Sequence, residues 1–256
     1  MSAEAATGGE PPAEEESPGE LSGGAADGGA ADGGTADADA AQGGTDAGAG
    51  ADGGSWEGIT PDAARRLVVA AVEAFAERGY HATTTRDIAG RAGMSPAALY
   101  IHYKTKEELL YQISKVGHLR SLALLAGARD GAGTAAERLA HAVRVFVRWH
   151  AEHHTTGRVV QYELGALSPG HYTEIVALRR QSEDAIRSII GDGVAAGEFD
   201  VPDVSGTTLA VLSLCIDVAR WFNPNGRRTP DEVGALYADL VLRMVRQADG
   251  QAGPAA

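Results

Sequence analysis

The sequence predicts an all-α protein, a succession of amphipathic helices preceded by an acidic tail. Three observations carry this. Beyond Trp56, apolar residues recur three and four positions apart, as one face of a helix requires, and no stretch alternates convincingly with period two. Gly, Pro, Asn and Asp punctuate the joins between these runs. Charge is unevenly divided: residues 1–55 hold six Glu, six Asp and no Lys or Arg, which accounts for almost all of the net −13. The other 201 residues carry 22 basic and 23 acidic groups and are close to neutral.

The tail is built of Ala, Gly, Asp and Glu, with Leu21 its only large aliphatic residue after Met1. Such a segment buries too little apolar surface to offset about 1–2 kcal/mol of backbone entropy per ordered residue. Disorder is the expectation for 1–55, and a short flexible C-terminus for 248–256. The bland role for the tail is solvation. The sharper one is electrostatic competition for a basic surface that would otherwise meet DNA. Cys215 is the only cysteine, which excludes an intramolecular disulfide and a Cys-based zinc site. No apolar run approaches the roughly 18 residues of a membrane span. No basic segment followed by an apolar one opens the chain. A cytoplasmic protein with no membrane partner is expected.

The folded elements follow in order. Thr60 and Pro61 read as an N-cap and first helical residue, and Leu67, Ala71, Ala74 and Phe75 keep helical spacing until Gly79 stops the run. Further helices are expected near 86–92, 96–103, 105–127, 134–153, 156–167, 171–196, 203–222 and 230–247. In the second helix Thr85 reads as the cap, with Ile88, Ala89 and Ala92 on one apolar face. Gly93 suits a left-handed turn, Met94 plugs the core from that turn, and Ser95 with Pro96 opens the third helix. Leu99 and Tyr103, four apart, face inward. Two short helices joined by a tight Gly turn make a helix-turn-helix, whose second helix fits the major groove of DNA.

A bare helix-turn-helix pattern is only moderately specific, but the surrounding residues narrow it. A first helix ending AFAERGY is followed by T-x-x-x-IA-x-x-AGMS and then by LY-x-HY-x-x-KEEL. Over about 61–121 this resembles the DNA-binding domain of the TetR (tetracycline-repressor) family of bacterial regulators. The resemblance implies a three-helix DNA-binding domain at 61–121 and a helical ligand-binding and dimerisation domain at 128–247. It also implies a homodimer on a palindromic double-stranded DNA operator, with a small-molecule effector that releases the DNA.

The same resemblance places Ser95, Pro96, Ala97, Ala98, Tyr100, Ile101 and His102 on the recognition helix. It places Thr84, Thr85 and Lys106 where phosphate contacts fall, beside Arg86 in the 84–103 motif. That recognition surface lacks the Arg, Asn or Gln of bidentate base contacts. Thymine-methyl contacts, a Tyr100 hydrogen bond and shape readout are therefore expected. Each residue also has a plainer role: Tyr100 packing between helices, His102 bracing its helix, Lys106 opening the next one. Charge favours DNA, because residues 62–120 hold nine basic groups against six acidic ones.

The second half is less specific. Trp149, His150, His153, Tyr162 and Glu163 are the expected ligand-pocket residues, being polar or aromatic among apolar neighbours, and Arg220 is added by a likeness to regulators of lipid breakdown. His150 and His154 stand four apart on a helix, but WHAEHH lacks the HExxH arrangement and no sulfur ligand is near, so no metal is expected. Leu209, Leu212 and Ile216 on one helix, with Leu236, Leu240 and Met244 on the next, are the expected dimer contacts. The segments VVQYELGALSPGHY and ARWFNPNGRRTPDEVGALYADLVL look similar to regulators of lipid or steroid breakdown. That likeness implies an acyl-CoA thioester or another lipid metabolite as effector. A helical enzyme and a purely structural module are the alternatives. No phosphate loop, G-x-S-x-G elbow or Cys/His nucleophile pair supports the enzyme, and no cofactor is implied.

Overall fold

The computed structural model describes residues 56–246; the expectations for the tail (1–55) and the C-terminus (248–256) lie outside the described residues. Among the described residues all regular structure is helical: α1 (Asp62–Arg78), α2 (Thr85–Arg91), α3 (Pro96–His102), α4 (Lys106–Arg129), α5 (Ala135–Glu152), α6 (His154–Glu163), α7 (Pro169–Ala195), α8 (Val204–Trp221) and α9 (Pro230–Val245). A 3-10 turn, Leu164–Ala166, follows α6.

Side-chain caps fix most helix starts. Thr134 caps α5 and Thr229 caps α9 through reciprocal bonds with Glu137 and Glu232, satisfying donors that would otherwise be orphaned. Ser95, Thr105, Ser168 and Asp203 cap α3, α4, α7 and α8 from one side. Two expectations need correction. Thr84, not Thr85, caps α2, because its hydroxyl accepts from the Asp87 N–H while the Asp87 carboxylate accepts from the Thr84 N–H. The cap of α1 is Pro61, which has no hydroxyl to offer, so that helix starts without a side-chain bond.

Two apolar cores share the helices. The first gathers Trp56, Leu67, Phe75, Ile88, Leu99 and Leu109 with Val159, Leu164 and Ile175. It therefore joins α1–α3 to the first turns of α4, the end of α6 and the start of α7. The second gathers Leu125, Leu139, Phe146, Ile186, Val218 and Val241 from the far end of α4 and from α5, α7, α8 and α9. Only α4 and α7 supply residues to both. Between the two cores their buried faces turn polar or small, at Gly117, His118 and Ser121 on α4 and at Arg179 and Ser182 on α7. That seam becomes the cavity described below.

α8 revises one expectation. Its 18 residues have a mean hydropathy of 1.2, so by length and composition it is apolar enough to cross a membrane. Val211, Leu212, Cys215 and Val218 account for one face by packing into the second core. Leu209, Leu214 and Trp221 lie exposed on the rest.

Candidate nucleic-acid interface and effector cavity

The helix-turn-helix is held by local chemistry. Gly93 adopts φ +67°, the left-handed conformation that spares a Cβ, and Met94 N–H donates to the Ala89 carbonyl at 2.8 Å, closing the turn. Leu99 is fully buried and Tyr103 nearly so, with the Tyr103 hydroxyl donating to the Ala64 carbonyl of α1 at 3.4 Å. Burial pushes the Tyr103 phenol up to about 12, so it remains a donor. This anchoring leaves the other face of α3 free. Ile101 is 74% exposed and Tyr100 45%. Ser95, Pro96 and Ala97 are also exposed, whereas Ala98 and His102 are half-buried.

Polar residues around α3 divide into free and committed groups. Arg86 is exposed, and among the described residues it makes no ion pair. Thr85 Oγ1 and Tyr100 Oη lie 3.0 Å apart, tying α2 to α3. Lys106 is not free. Its Nζ donates to the carbonyls of Tyr80 at 2.6 Å, Thr83 at 2.7 Å and His81 at 3.4 Å, and lies 4.2 Å from the centre of the Tyr80 ring. Burial lowers its pKa below the ordinary lysine range. The phosphate role read for Lys106 is corrected accordingly: all three of its donors hold the α1–α2 turn.

That turn is gripped from the other half as well. Glu163, the last residue of α6, accepts from the Tyr80 N–H at 3.0 Å. Glu107, beside Lys106 on α4, accepts from the Ser168 N–H at 2.7 Å and pairs with His171 Nδ1 at 2.8 Å, both at the start of α7. His171 stacks on Tyr111 of α4 at 3.7 Å between ring centres. Through Glu163 and α4, these contacts join the α1–α3 head to the helices that surround the cavity.

The cavity has a volume of about 530 Å³ and opens at the seam between the cores. All of α4 to α8 reach it, among others through His118, Trp149, Gln161, Arg179 and Leu212. A space of this size suits a small organic ligand. His118 Nδ1 lies 2.7 Å from the Ser114 carbonyl, and Arg179 Nε donates to His118 Nε2 at 3.2 Å. That pattern fixes His118 as the neutral Nδ1–H tautomer, and burial takes its pKa down to about 4. His150 donates likewise to the Phe146 carbonyl at 2.8 Å and is also held near 4 by burial.

Of the expected pocket residues, Trp149 and His150 line the cavity. His153 stands behind it, stacked on the Trp149 ring at 4.9 Å. Three others are corrections. Tyr162 is 65% exposed, Glu163 turns to the head, and Arg220 lies on the surface paired with Asp217 at 2.7 Å. Sequence reasoning missed His118, Gln161, Arg179 and Ser182. A signal existed: each of Ser114, His118, Ser121, Arg179 and Ser182 breaks an otherwise apolar helical stripe.

The expected dimer contacts separate in the same way. Leu212 is buried and Ile216 half-buried, and both line the cavity. Leu209 is exposed at the cavity rim, Leu240 and Met244 are each 45% exposed, and Leu236 is half-buried.

Comparison with known proteins places this architecture. Residues 67–113 match the model of bacterial regulatory proteins of the tetR family, and residues 132–245 match the tetracyclin repressor-like C-terminal domain. The HTH-type transcriptional repressor KstR2 of Mycolicibacterium smegmatis is 30% identical, over 72% of this chain and 91% of the relative. A crystal structure of a tetR-family regulatory protein from Rhodococcus RHA1 is 46% identical, covering 74% of this chain and 100% of that one, with a TM-score of 0.70. The structure of the ketosteroid transcriptional regulator KstR2 of Mycobacterium tuberculosis is 26% identical, covers 74% and 97%, and has a TM-score of 0.68. This chain belongs to the TetR family of bacterial transcriptional regulators. It is a DNA-binding, ligand-responsive regulator of transcription.

Proposed function

We propose that the protein is a repressor that leaves a palindromic operator when a lipid-derived metabolite, such as an acyl-CoA thioester, fills the seam cavity. One observation carries this. α6 lines the cavity through Thr156, Gly157, Val160 and Gln161, and its last residue, Glu163, holds the Tyr80 N–H of the head. A ligand that displaces α6 therefore pulls on the turn that Lys106 braces, and α3 changes its angle. The repressor sign and the lipid class draw on the likeness to KstR2.

Two-fold operators require two heads spaced by one helical turn, about 34–36 Å. The exposed apolar residues Leu214, Trp221, Leu240 and Met244 on α8 and α9 are the proposed dimer seam. Ser95, Ala97, Ala98, Tyr100 and Ile101 are the proposed base-facing group, with His102 beside them. Thr84, Thr85 and Arg86 are the proposed phosphate side. The ligand acts by differential affinity for two head spacings.

The test is fluorescence anisotropy of the dimer on its own upstream DNA, titrated with a series of acyl-CoA thioesters. Operator affinity is expected to fall for those that bind. Binding of a thioester in the cavity with operator affinity unchanged would sink the proposal.

A further inference from the structure

Among the described residues, Arg179 is the one charged side chain at the cavity wall without an ion-pair partner. Glu183 also lines the cavity but is paired with Arg187 one turn along α7, and Asp217 is paired with Arg220. His118 offers Arg179 only a neutral ring nitrogen, which takes the Nε–H. Among the described residues no carboxylate lies within ion-pair distance of the guanidinium, and its two Nη groups donate to no protein atom. Burial of an unpaired cation is costly. A guanidinium at a cavity wall with both Nη groups unengaged offers a planar fork matched to two oxygens of a carboxylate or phosphate. Its surroundings are divided to suit: Gln161 adds an amide, while Phe146, Trp149, Val160 and Leu212 offer apolar surface.

We infer that the effector enters this cavity with an anionic oxygen group, a carboxylate or a phosphate, seated on the Nη face of Arg179 and an apolar chain against Trp149 and Phe146. This rests on the reading of the cavity as the effector site, and names the ligand chemistry that the site selects. Ser121 and Ser182 are not rival donors, because their hydroxyls already donate to the carbonyls of His118 and Leu178 at 3.1 and 3.3 Å.

Three probes with one apolar chain separate the possibilities: dodecanoate, dodecanol and dodecanoyl-CoA. Each is titrated into the full chain by calorimetry, and into its operator complex by anisotropy, for wild type, Arg179→Met and Arg179→Lys. Wild type is expected to bind at least one anionic probe about tenfold or more tightly than dodecanol, the worth of one charge-assisted hydrogen bond. Arg179→Met is expected to bring that probe down to the level of dodecanol, without changing dodecanol affinity or ligand-free operator affinity. Arg179→Lys, which keeps the charge and loses the fork, is expected to fall between. Preference for dodecanoate identifies a carboxylate; preference confined to dodecanoyl-CoA identifies a phosphate.

Equal affinity for all three probes on wild type overturns the inference, as does a preference that survives Arg179→Met. If dodecanol binds and lifts the protein from DNA as well as the anions do, the lipid-effector reading stands and only the role of Arg179 falls. If no probe binds a protein that still holds its operator, both fall.

Discussion

In the head, the polar side chains around the α1–α2 turn are bound to the main chain above an apolar core. Lys106, Thr83 and Glu163 are all committed to main-chain groups of the α1–α2 turn, over Phe75, Ile88 and Leu99. In the body, polar groups sit between two apolar cores: His118, His150, Arg179 and Ser182 border a cavity there. The first arrangement holds the turn in one form, because the carbonyls and N–H groups it presents are matched by Lys106, Thr83 and Glu163. The second is expected to tolerate more than one spacing of α4, α6 and α7, because the seam is the place where close packing is interrupted. A regulator needs both: a reading surface that keeps its shape and a support that shifts under it.

Glycines sharpen the contrast and give the largest expected effect. A Cβ on Gly234 of α9 would stand 2.7 Å from the main-chain oxygen of Arg144 on α5, and neither backbone can yield cheaply. Gly234→Val is expected to cost about 3 kcal/mol by prising α9 from α5, lowering the melting temperature and weakening dimerisation. Gly93 in the head has nothing within 4 Å of its Cβ position, only a positive φ. Gly93→Ala is expected to cost about 1 kcal/mol, the left-handed penalty alone. Equal losses in thermal denaturation would remove the distinction between a sterically closed body and a conformationally set head.

Acid is next in size. His118 and His150 are both held near 4, below their ordinary value of 6.5. Between those values the unfolded chain takes up protons that the folded protein refuses, so stability falls as pH drops from about 6.5 toward 4. The loss is on the order of 2 kcal/mol per histidine by pH 5. Melting temperatures at pH 7 and pH 5 measure it, and a double His118→Gln, His150→Gln variant is expected to flatten the difference. Hydrogen exchange at pH 5 is expected to rise around residues 114–121 and 146–150 before it rises in α1. Opening of α1 first would reverse the comparison.

How much of this the sequence discloses follows the same division. The head is legible because its determinants are local: Gly93, Ser95 and Pro96 set a turn within four residues, and Leu99 and Tyr103 choose the buried face of one helix. Helix starts in the body are legible for the same reason, since Thr134 and Thr229 act on Glu137 and Glu232 three positions on. The cavity is not local. Its wall comes from five helices, and nothing near Arg179 in the chain states that His118, 61 positions earlier, is its partner. Glu163 misleads for a related reason: its apolar neighbours suggest a pocket, while the bend after α6 aims it at Tyr80. Leu212 and Ile216 have the composition of a dimer contact, and only the packing of α8 reveals that they face the cavity.

Lys106 tests the boundary between the halves. Removing its ammonium leaves the Tyr80 and Thr83 carbonyls without their donor, at about 1–3 kcal/mol. Lys106→Met is therefore expected to lower stability and operator affinity together, with no change in the salt dependence of binding. Arg86→Ala is expected to do the opposite, leaving stability intact and reducing the salt slope by about one. A reduced slope for Lys106→Met would return that residue to the phosphate side.

Tyr100 carries the smallest expected effect and the finest division of labour. Its hydroxyl already has a partner in Thr85, and the pair is open to water, so losing the bond costs about 0.5–1 kcal/mol. Its ring, beside Ile101, is the apolar surface proposed to meet thymine methyl groups. Tyr100→Phe keeps the ring and is expected to weaken operator binding by no more than about threefold, whereas Tyr100→Ala is expected to cost about tenfold or more. If Phe proves as damaging as Ala, the hydroxyl leaves Thr85 to contact DNA. A cycle with Thr85→Val then decides between the two roles. Coupling in the free protein that disappears on the operator means the hydroxyl has changed partners, and coupling that persists means α2 and α3 stay tied while the ring reads.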